Sequence, residues 1–313
     1  MAEFNFLQNP LTKKWVVIAP RRAKRPDASK GEPRCPFCPG GAGDNQEVYK
    51  VPDVNGHGWA VRVLYNKFPF APIHEVIIHS PDHTQNFDHL PQNQIELILQ
   101  TYRQRYQLYE EKGQVIIFHN RGKLGGESLP HPHSQLVVIP PNVHLDIAKL
   151  DPSLLHLTED DMKSAVLGVG PNMKEQSQVV TGHFYLFCPE SSSLPDEVWI
   201  APKRRGKTFG EITNSEITDL ASTLRRLIQI FDIRHTPDFP FNFYIPSTSD
   251  WYIRIVPRLK IIGGFELATG VYVNTQDPKE TIAFIKKHFD PSADEPDVEK
   301  IKTEDRAEYE RRV

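Results

Sequence analysis

The segment Gly125-Gly126-Glu127-Ser128-Leu129-Pro130-His131-Pro132-His133-Ser134-Gln135 concentrates groups able to do chemistry, and it runs straight into the apolar Leu136-Val137-Val138-Ile139. In a strand, residues two apart point to the same side. His131, His133 and Gln135 are therefore expected on one face, two imidazoles beside an amide. A packed core would not choose that set without a reason. The plain alternative is a pair of exposed histidines on an edge strand. Against it, the glycines and the serine just upstream make a loop suited to an anion.

A second set is Cys35-Pro36-Phe37-Cys38. A tetrahedral zinc site needs four ligands, and the only other cysteine, Cys188, stands alone, so a four-cysteine site is excluded by counting. The missing ligands must be histidines. Of the 13 in the chain, His83 and His131 are the best placed, each at the end or start of a predicted strand. A dithiol redox site is the competing reading of this spacing, but Pro39-Gly40-Gly41 follows where a helix would be needed. Cys188 lies in an apolar run after Phe184-Tyr185-Leu186-Phe187 and reads as an inert core thiol.

The elements that must position these groups form a duplicated pattern. Glu75-Val76-Ile77-Ile78 reads as a strand, followed by Ser80-Pro81-Asp82-His83, Phe87 and a helix with a stripe of Ile95, Ile98, Leu99, Tyr102, Tyr106 and Tyr109. Glu197-Val198-Trp199-Ile200 is followed in the same way by Ala201-Pro202-Lys203-Arg204-Arg205, Phe209 and a stripe of Ile217, Leu220, Ala221, Leu224, Leu227 or Ile228, and Phe231. Glu75 and Glu197, His83 and Arg205, Phe87 and Phe209, and Ile95 and Ile217 all share one offset. Further strands are predicted at Val115–Phe118, Leu136–Ile139, Phe241–Ile245 and Trp251–Val256. The connection from Pro141 to Val180 has no sustained period, and the charged stretch from Pro291 reads as a mobile tail or an exposed helix.

With 313 residues the chain can build two cores. A net charge of −3 with dispersed Lys and Arg argues against a duplex nucleic-acid binder. No apolar run approaches a membrane span and the N-terminus lacks the layout of a signal peptide, so a cytoplasmic location is the default expectation.

The combination of CPFC, SPDH, the Gly/Ser loop and HPHSQ resembles the galactose-1-phosphate uridylyltransferase family of the histidine-triad superfamily. The likeness begins at Leu11-Thr12-Lys13-Lys14-Trp15, passes through Arg22-Ala23-Lys24-Arg25-Pro26 and Asn66-Lys67-Phe68-Pro69, and reaches Lys260-Ile261-Ile262-Gly263-Gly264-Phe265-Glu266. It implies an α+β fold of two tandem histidine-triad-like units, each an antiparallel sheet with helices packed on it. Residues 1–150 would form the catalytic and zinc-binding unit, 151–290 a unit shaping the hexose pocket, and 291–313 a polar tail.

Residue by residue, the resemblance makes Cys35, Cys38, His83 and His131 ligands of one structural zinc, His133 the nucleophile, and Gln135 a partner of the phosphoryl oxygens. Asn120, Gly126 and Ser128 would hold the nucleotide phosphates and Asn66 the nucleoside. Arg22 and Arg25 would lie near the substrate phosphates, and Lys260, Phe265 and Glu266 near the hexose. It also implies a homodimer acting on a nucleotide sugar and a hexose 1-phosphate. Glutamine at position 135 favours transfer over hydrolysis, because an amide donates to phosphoryl oxygen but shuttles protons poorly. A nucleotide hydrolase and a non-catalytic zinc-containing binding protein are the readings from other classes.

Laid on the HPHSQ strand by its closing proline, Pro257 on Pro140, the strand Trp251 to Val256 puts Asp250 at the nucleophile position and Tyr252 at the glutamine, so no second metal site is expected. Trp251-Tyr252-Ile253-Arg254-Ile255-Val256-Pro257 and the later Gly-Gly-Phe-Glu also resemble ADP-glucose phosphorylase, which leaves adenylyl transfer as the alternative.

Overall fold

Leu136 and Val138 pack into the main core, while Val137 and Ile139 pack into a second cluster on the opposite side. Strand β7 (His133–Ile139) thus alternates as a two-residue period requires: His133 and Gln135 share the face of Val137, and Ser134 points the other way. The computed structural model describes residues 4–24, 35–41, 46–148, 150, 178–235 and 238–290. Arg25, most of the connection from Pro141 to Val180 and the tail from Pro291 lie outside these.

The first half supplies a small ribbon, β1 (Asn5–Gln8) with β2 (Trp15–Ile18), then β3 (Glu47–Pro52), β4 (Trp59–Tyr65), β5 (Ile73–Ile78), α1 (Gln92–Tyr109), β6 (Gln114–Arg121) and β7. The second supplies β8 (Gln178–Val180), β9 (Phe184–Phe187), β10 (Val198–Pro202), α2 (Asn214–Arg234), β11 (Phe241–Ile245), β12 (Ile253–Pro257), α3 (Gly264–Thr269) and α4 (Pro278–His288). One antiparallel sheet of ten strands runs β3-β4-β5-β7-β6-β11-β12-β10-β9-β8. Read inward from either edge, each half contributes five strands in the same order, and the halves meet where β6 pairs with β11. The duplication read from the sequence is therefore visible as topology.

Helices α1 and α2 lie against each other on one face of the sheet. Their stripes are buried as the spacing predicted, from Ile95 to Tyr109 and from Ile217 to Phe231. Each such side chain contributes about 2 kcal/mol on burial. Thr213 and Glu216 form a reciprocal capping box that fixes where α2 begins. Cys188 is half-buried and packs against this core.

The shared offset holds for Phe87 and Phe209, both fully buried, but not for the strands. Glu75 faces the helices, where Arg105 binds it through both carboxylate oxygens and the Tyr109 hydroxyl donates to it at 2.6 Å. Glu197 faces the other way, accepting from Trp199 Nε1 at 2.7 Å and Arg254 Nη2 at 2.8 Å. An odd-residue slip between strand and helix reverses every side chain on the strand. The connections from β5 to α1 and from β10 to α2 absorb it. In the second half, Arg205 and Asp250 form a buried ion pair at 2.9 Å. No helix of the described residues is long and apolar enough to cross a membrane.

Candidate active site and metal centre

Cys35, Cys38, His83 and His131 converge, with one ligand atom from each lying within 4.8 Å of the others. Cys38 Sγ is 3.4 Å from His83 Nδ1 and 3.5 Å from His131 Nδ1, and Cys35 Sγ is 3.7 Å from His131 Nδ1. Tetrahedral bonds of about 2.3 Å to sulfur and about 2.05 Å to nitrogen put S and N about 3.5 Å apart, so the donors fit one small ion. His131 Nε2–H donates to the Ser80 carbonyl at 2.9 Å, which turns the Nδ1 lone pair toward the thiols. The loop carrying the cysteines closes through Gly41, whose N–H donates to the Cys38 carbonyl. A Cβ at Gly41 would come within 2.6 Å of the Cys35 carbonyl oxygen, so the turn admits only glycine.

His133 begins β7, two residues beyond His131. Its Nδ1–H donates to the His131 carbonyl at 2.8 Å, which fixes the tautomer and leaves the ring's lone pair on Nε2. Phe37, between the two cysteines, meets the His133 ring edge-on with centroids 5.1 Å apart. The metal loop and the strand thus hold the same imidazole from two sides.

Behind the strand, His119 Nδ1–H donates to the His133 carbonyl at 2.9 Å. Ser134 points the opposite way from His133 and lies 2.9 Å from His79 Nε2, with the Tyr102 hydroxyl donating to it at 2.5 Å. Burial, and then the neighbouring His133, pushes the His119 imidazole down to about 3, so it stays neutral as a fixed donor.

Gln135 is oriented by a residue that the sequence reading missed. The Phe70 N–H donates to His74 Nδ1 at 3.4 Å, so the neutral ring carries its proton on Nε2. That N–H donates to Gln135 Oε1 at 2.9 Å, and Asn66 Nδ2 lies 3.4 Å from the same oxygen. The Gln135 carbonyl is thereby taken up, and its NH₂ is the end left to donate to a substrate. Arg22 joins this group, donating to the Phe68 carbonyl at 2.7 Å and lying 4.7 Å over the Phe70 ring. Register was the available signal: His74 shares a face with Val76, and Val76 pairs with Gln135. His74→Ala is expected to lower turnover by about 10- to 100-fold with little change in KM, and His74→Gln, which keeps a donor, to recover part of it. Steady-state kinetics with thermal melting checks this; an equal loss in both variants would count against positioning.

His119 pairs with Ser134, so one step along that register Asn120 stands opposite His133. The loop after β6 turns at Gly122 and Gly126, with φ of 74° and 82°. Glu127 folds back, its carboxylate accepting from the Gly122 N–H at 2.7 Å, and so braces the loop from within. The Asn120 amide nitrogen is 4.0 Å from where a Gly126 side chain would begin. Asn120 thus stands opposite His133 and close to Gly126, and the half-buried Ser128 follows two residues on in the same loop.

Lys260, Phe265 and Glu266 form a group of their own. Lys260 donates to the Val273 carbonyl at 2.7 Å and pairs with Glu266 at 3.3 Å, and Glu266 accepts from the Gly263 N–H. Phe265 is exposed.

Residues 51–138 match the family model described as galactose-1-phosphate uridyl transferase, N-terminal domain. An ADP-glucose phosphorylase of Arabidopsis thaliana is 27% identical over 90% of this chain and 92% of its own. A galactose-1-phosphate uridylyltransferase of Thermotoga maritima is 26% identical over 87% and 94%. The crystal structure of the Arabidopsis phosphorylase with bound ADP-glucose superposes with a TM-score of 0.66 at 25% identity, covering 91% of this chain and 99% of that one. A uridylyltransferase structure shares the fold, with a TM-score of 0.68 at 24% identity over 90% and 97%. The chain resembles the galactose-1-phosphate uridylyltransferase family, with a resemblance to ADP-glucose phosphorylase as well, and its fold is the α+β arrangement that those motifs implied.

Proposed function

We propose that the protein is a nucleotidyltransferase of the hexose-1-phosphate uridylyltransferase type, moving uridylyl between UDP-glucose and galactose 1-phosphate through a nucleotidyl-His133 intermediate. The observation that carries this reading is the bond from His133 Nδ1–H to the His131 carbonyl, which leaves Nε2 as the attacking atom. The Nε2 lone pair forms the bond to the α-phosphorus while the bond to the sugar 1-phosphate oxygen breaks. The departing dianion needs no proton. The His131 carbonyl stabilises the positive charge left on the ring, and the Gln135 NH₂ donates to the phosphoryl oxygens. A second hexose 1-phosphate reverses the step from the other side.

Zinc is the ion we assign to the cysteine–histidine centre. All four ligands are protein groups, so it supplies no reacting atom and serves to fix His131. Asn120, Gly126 and Ser128 hold the phosphates, Asn66 the nucleoside, and Arg22 and Arg25 add positive charge nearby. The C-terminal unit, 151–290, shapes the hexose pocket, with Lys260, Phe265 and Glu266 at the sugar. Exposed Ile261, Phe265 and Leu267 support a homodimer in which a second copy covers this segment. A cytoplasmic location completes the reading.

Adenylyl transfer from ADP-glucose to phosphate is the second reading, favoured by the similarity to the Arabidopsis phosphorylase over nearly the whole chain. Intact-protein mass spectrometry separates the two. The zinc-loaded chain mixed with UDP-glucose alone is expected to gain one uridylyl mass, which galactose 1-phosphate removes. A gain only with ADP-glucose, cleared by phosphate, selects the second reading, and no gain with either donor rejects both.

A further inference from the structure

The phosphate loop belongs to the first half of the chain, yet the group that fixes its polarity comes from the second. Asn242 on β11 pairs directly with Asn120 on β6, across the seam between the halves. Asn242 Nδ2 donates to Asn120 Oδ1 at 2.7 Å and to the Gly125 carbonyl at 2.6 Å. Arg258, just beyond β12, donates from Nη1 to Asn242 Oδ1 at 3.2 Å.

An amide side chain can be turned either way, so its direction needs a partner of fixed polarity. Guanidinium has five donors and no acceptor. Beside Arg258, Asn242 can present only its oxygen, so its NH₂ must face Asn120 and Gly125. The Asn120 oxygen is then the accepting end, and its NH₂ is turned toward Gly126, where a phosphate would sit. The Gly125 carbonyl is drawn away from that space by the same NH₂. A Cβ at Gly125 would come within 3.0 Å of the Phe241 carbonyl oxygen and 3.5 Å of Asn242 Nδ2, so the loop seats directly on β11. A chain of donors that starts at a cation is polarised along its length.

We infer that Asn242, held by Arg258, is a positioning residue for phosphate recognition: the second half sets the Asn120 amide to donate. This rests on the proposed nucleotidyl transfer only in taking Asn120 to face a phosphate. It assigns a specific task to the second half beyond shaping the sugar pocket.

Two readouts test it, the rate of adduct formation on His133 and the affinity for UDP or ADP, which needs no transfer chemistry. Asn242→Asp offers only acceptors and forces the Asn120 amide to turn its oxygen to the phosphate. It is expected to slow adduct formation about 100-fold and to weaken diphosphate binding about 10-fold, with metal content and melting temperature as in the wild type. In an Asn120→Ala background the same change is expected to cost less than about 3-fold, because the effect runs through Asn120. Labelling and binding at wild-type levels, or a loss undiminished without the Asn120 amide, overturns the inference. Should Asn242→Asp fail to fold, Arg258→Met reads the relay from its other end. A loss of about 10-fold supports it, and none overturns it. A wild-type chain that binds diphosphate but forms no adduct refutes the transfer reading while the binding ratios still decide the relay. A chain that binds neither nucleotide overturns both.

Discussion

His133→Ala is expected to leave a folded, metal-loaded protein that forms no nucleotidyl adduct and whose transfer rate is down by about 10⁴-fold or more. The size follows from the role. Nε2 makes the bond to phosphorus, and among the described residues no neighbouring group is placed to replace it. Gln135 is an amide, His131 presents Nδ1 to the thiols, and His119 lies behind the strand with its Nδ1–H on the His133 carbonyl. The variant is expected to keep its fold, because the His133 Nδ1–H donates to a backbone carbonyl that the strand and the metal ligand His131 hold in place. His133→Gly opens a cavity of imidazole size at the same place, and a nucleoside phosphorimidazolide is expected to restore transfer there by bringing the missing ring with it. Mass spectrometry and acceptor turnover read both variants. Full activity in His133→Ala would sink the covalent route.

Loss of the metal is expected to have the next largest effect. Among the described residues the cysteine loop meets the rest of the molecule through the donor set and through Phe37, which lies against His131 and His133 and packs on the cluster of Trp59, Leu64, Val76 and Ile78. Without an ion, the two thiols and two imidazoles keep only weak S···N contacts in place of four coordinate bonds. The predicted result of Cys38→Ser, or of prolonged chelation, is a chain with no stoichiometric zinc, a melting temperature lower by about 10 °C, and labelling too slow to measure. A fall of that size corresponds to about 6 kcal/mol for a chain of this length. Activity is lost because the His131 carbonyl that holds the nucleophile's tautomer moves with the ligand beside it. Restoring zinc to the chelated chain is expected to recover labelling, whereas Cys38→Ser stays inactive. A metal-free chain that labels at the loaded rate would separate the centre from the site altogether.

Much of this was legible in the order of the residues. A two-residue period put His133 and Gln135 on one face, because the pleat allows nothing else, whereas His131, expected on the same strand, lies just before β7 begins. Counting cysteines forced histidines into the metal set, and the helical stripes named the buried faces of α1 and α2. These are local properties, set by backbone geometry and by ligand number.

Pairing decided the rest. The slip that turns Glu197 away from the helices, while Glu75 points into them, could not be read from an offset shared by helices and phenylalanines, since a loop can absorb a residue without leaving a trace in periodicity. His74 lay one residue from a landmark and carried no motif. Only the register of β5 on β7 set it against Gln135. Asn242 is more than a hundred residues from Asn120, and it became a neighbour when the two halves shared one sheet. The chemistry of the site is written in short stretches of sequence. The direction in which its amides point is fixed by long-range partners, because an amide takes its polarity from what it touches.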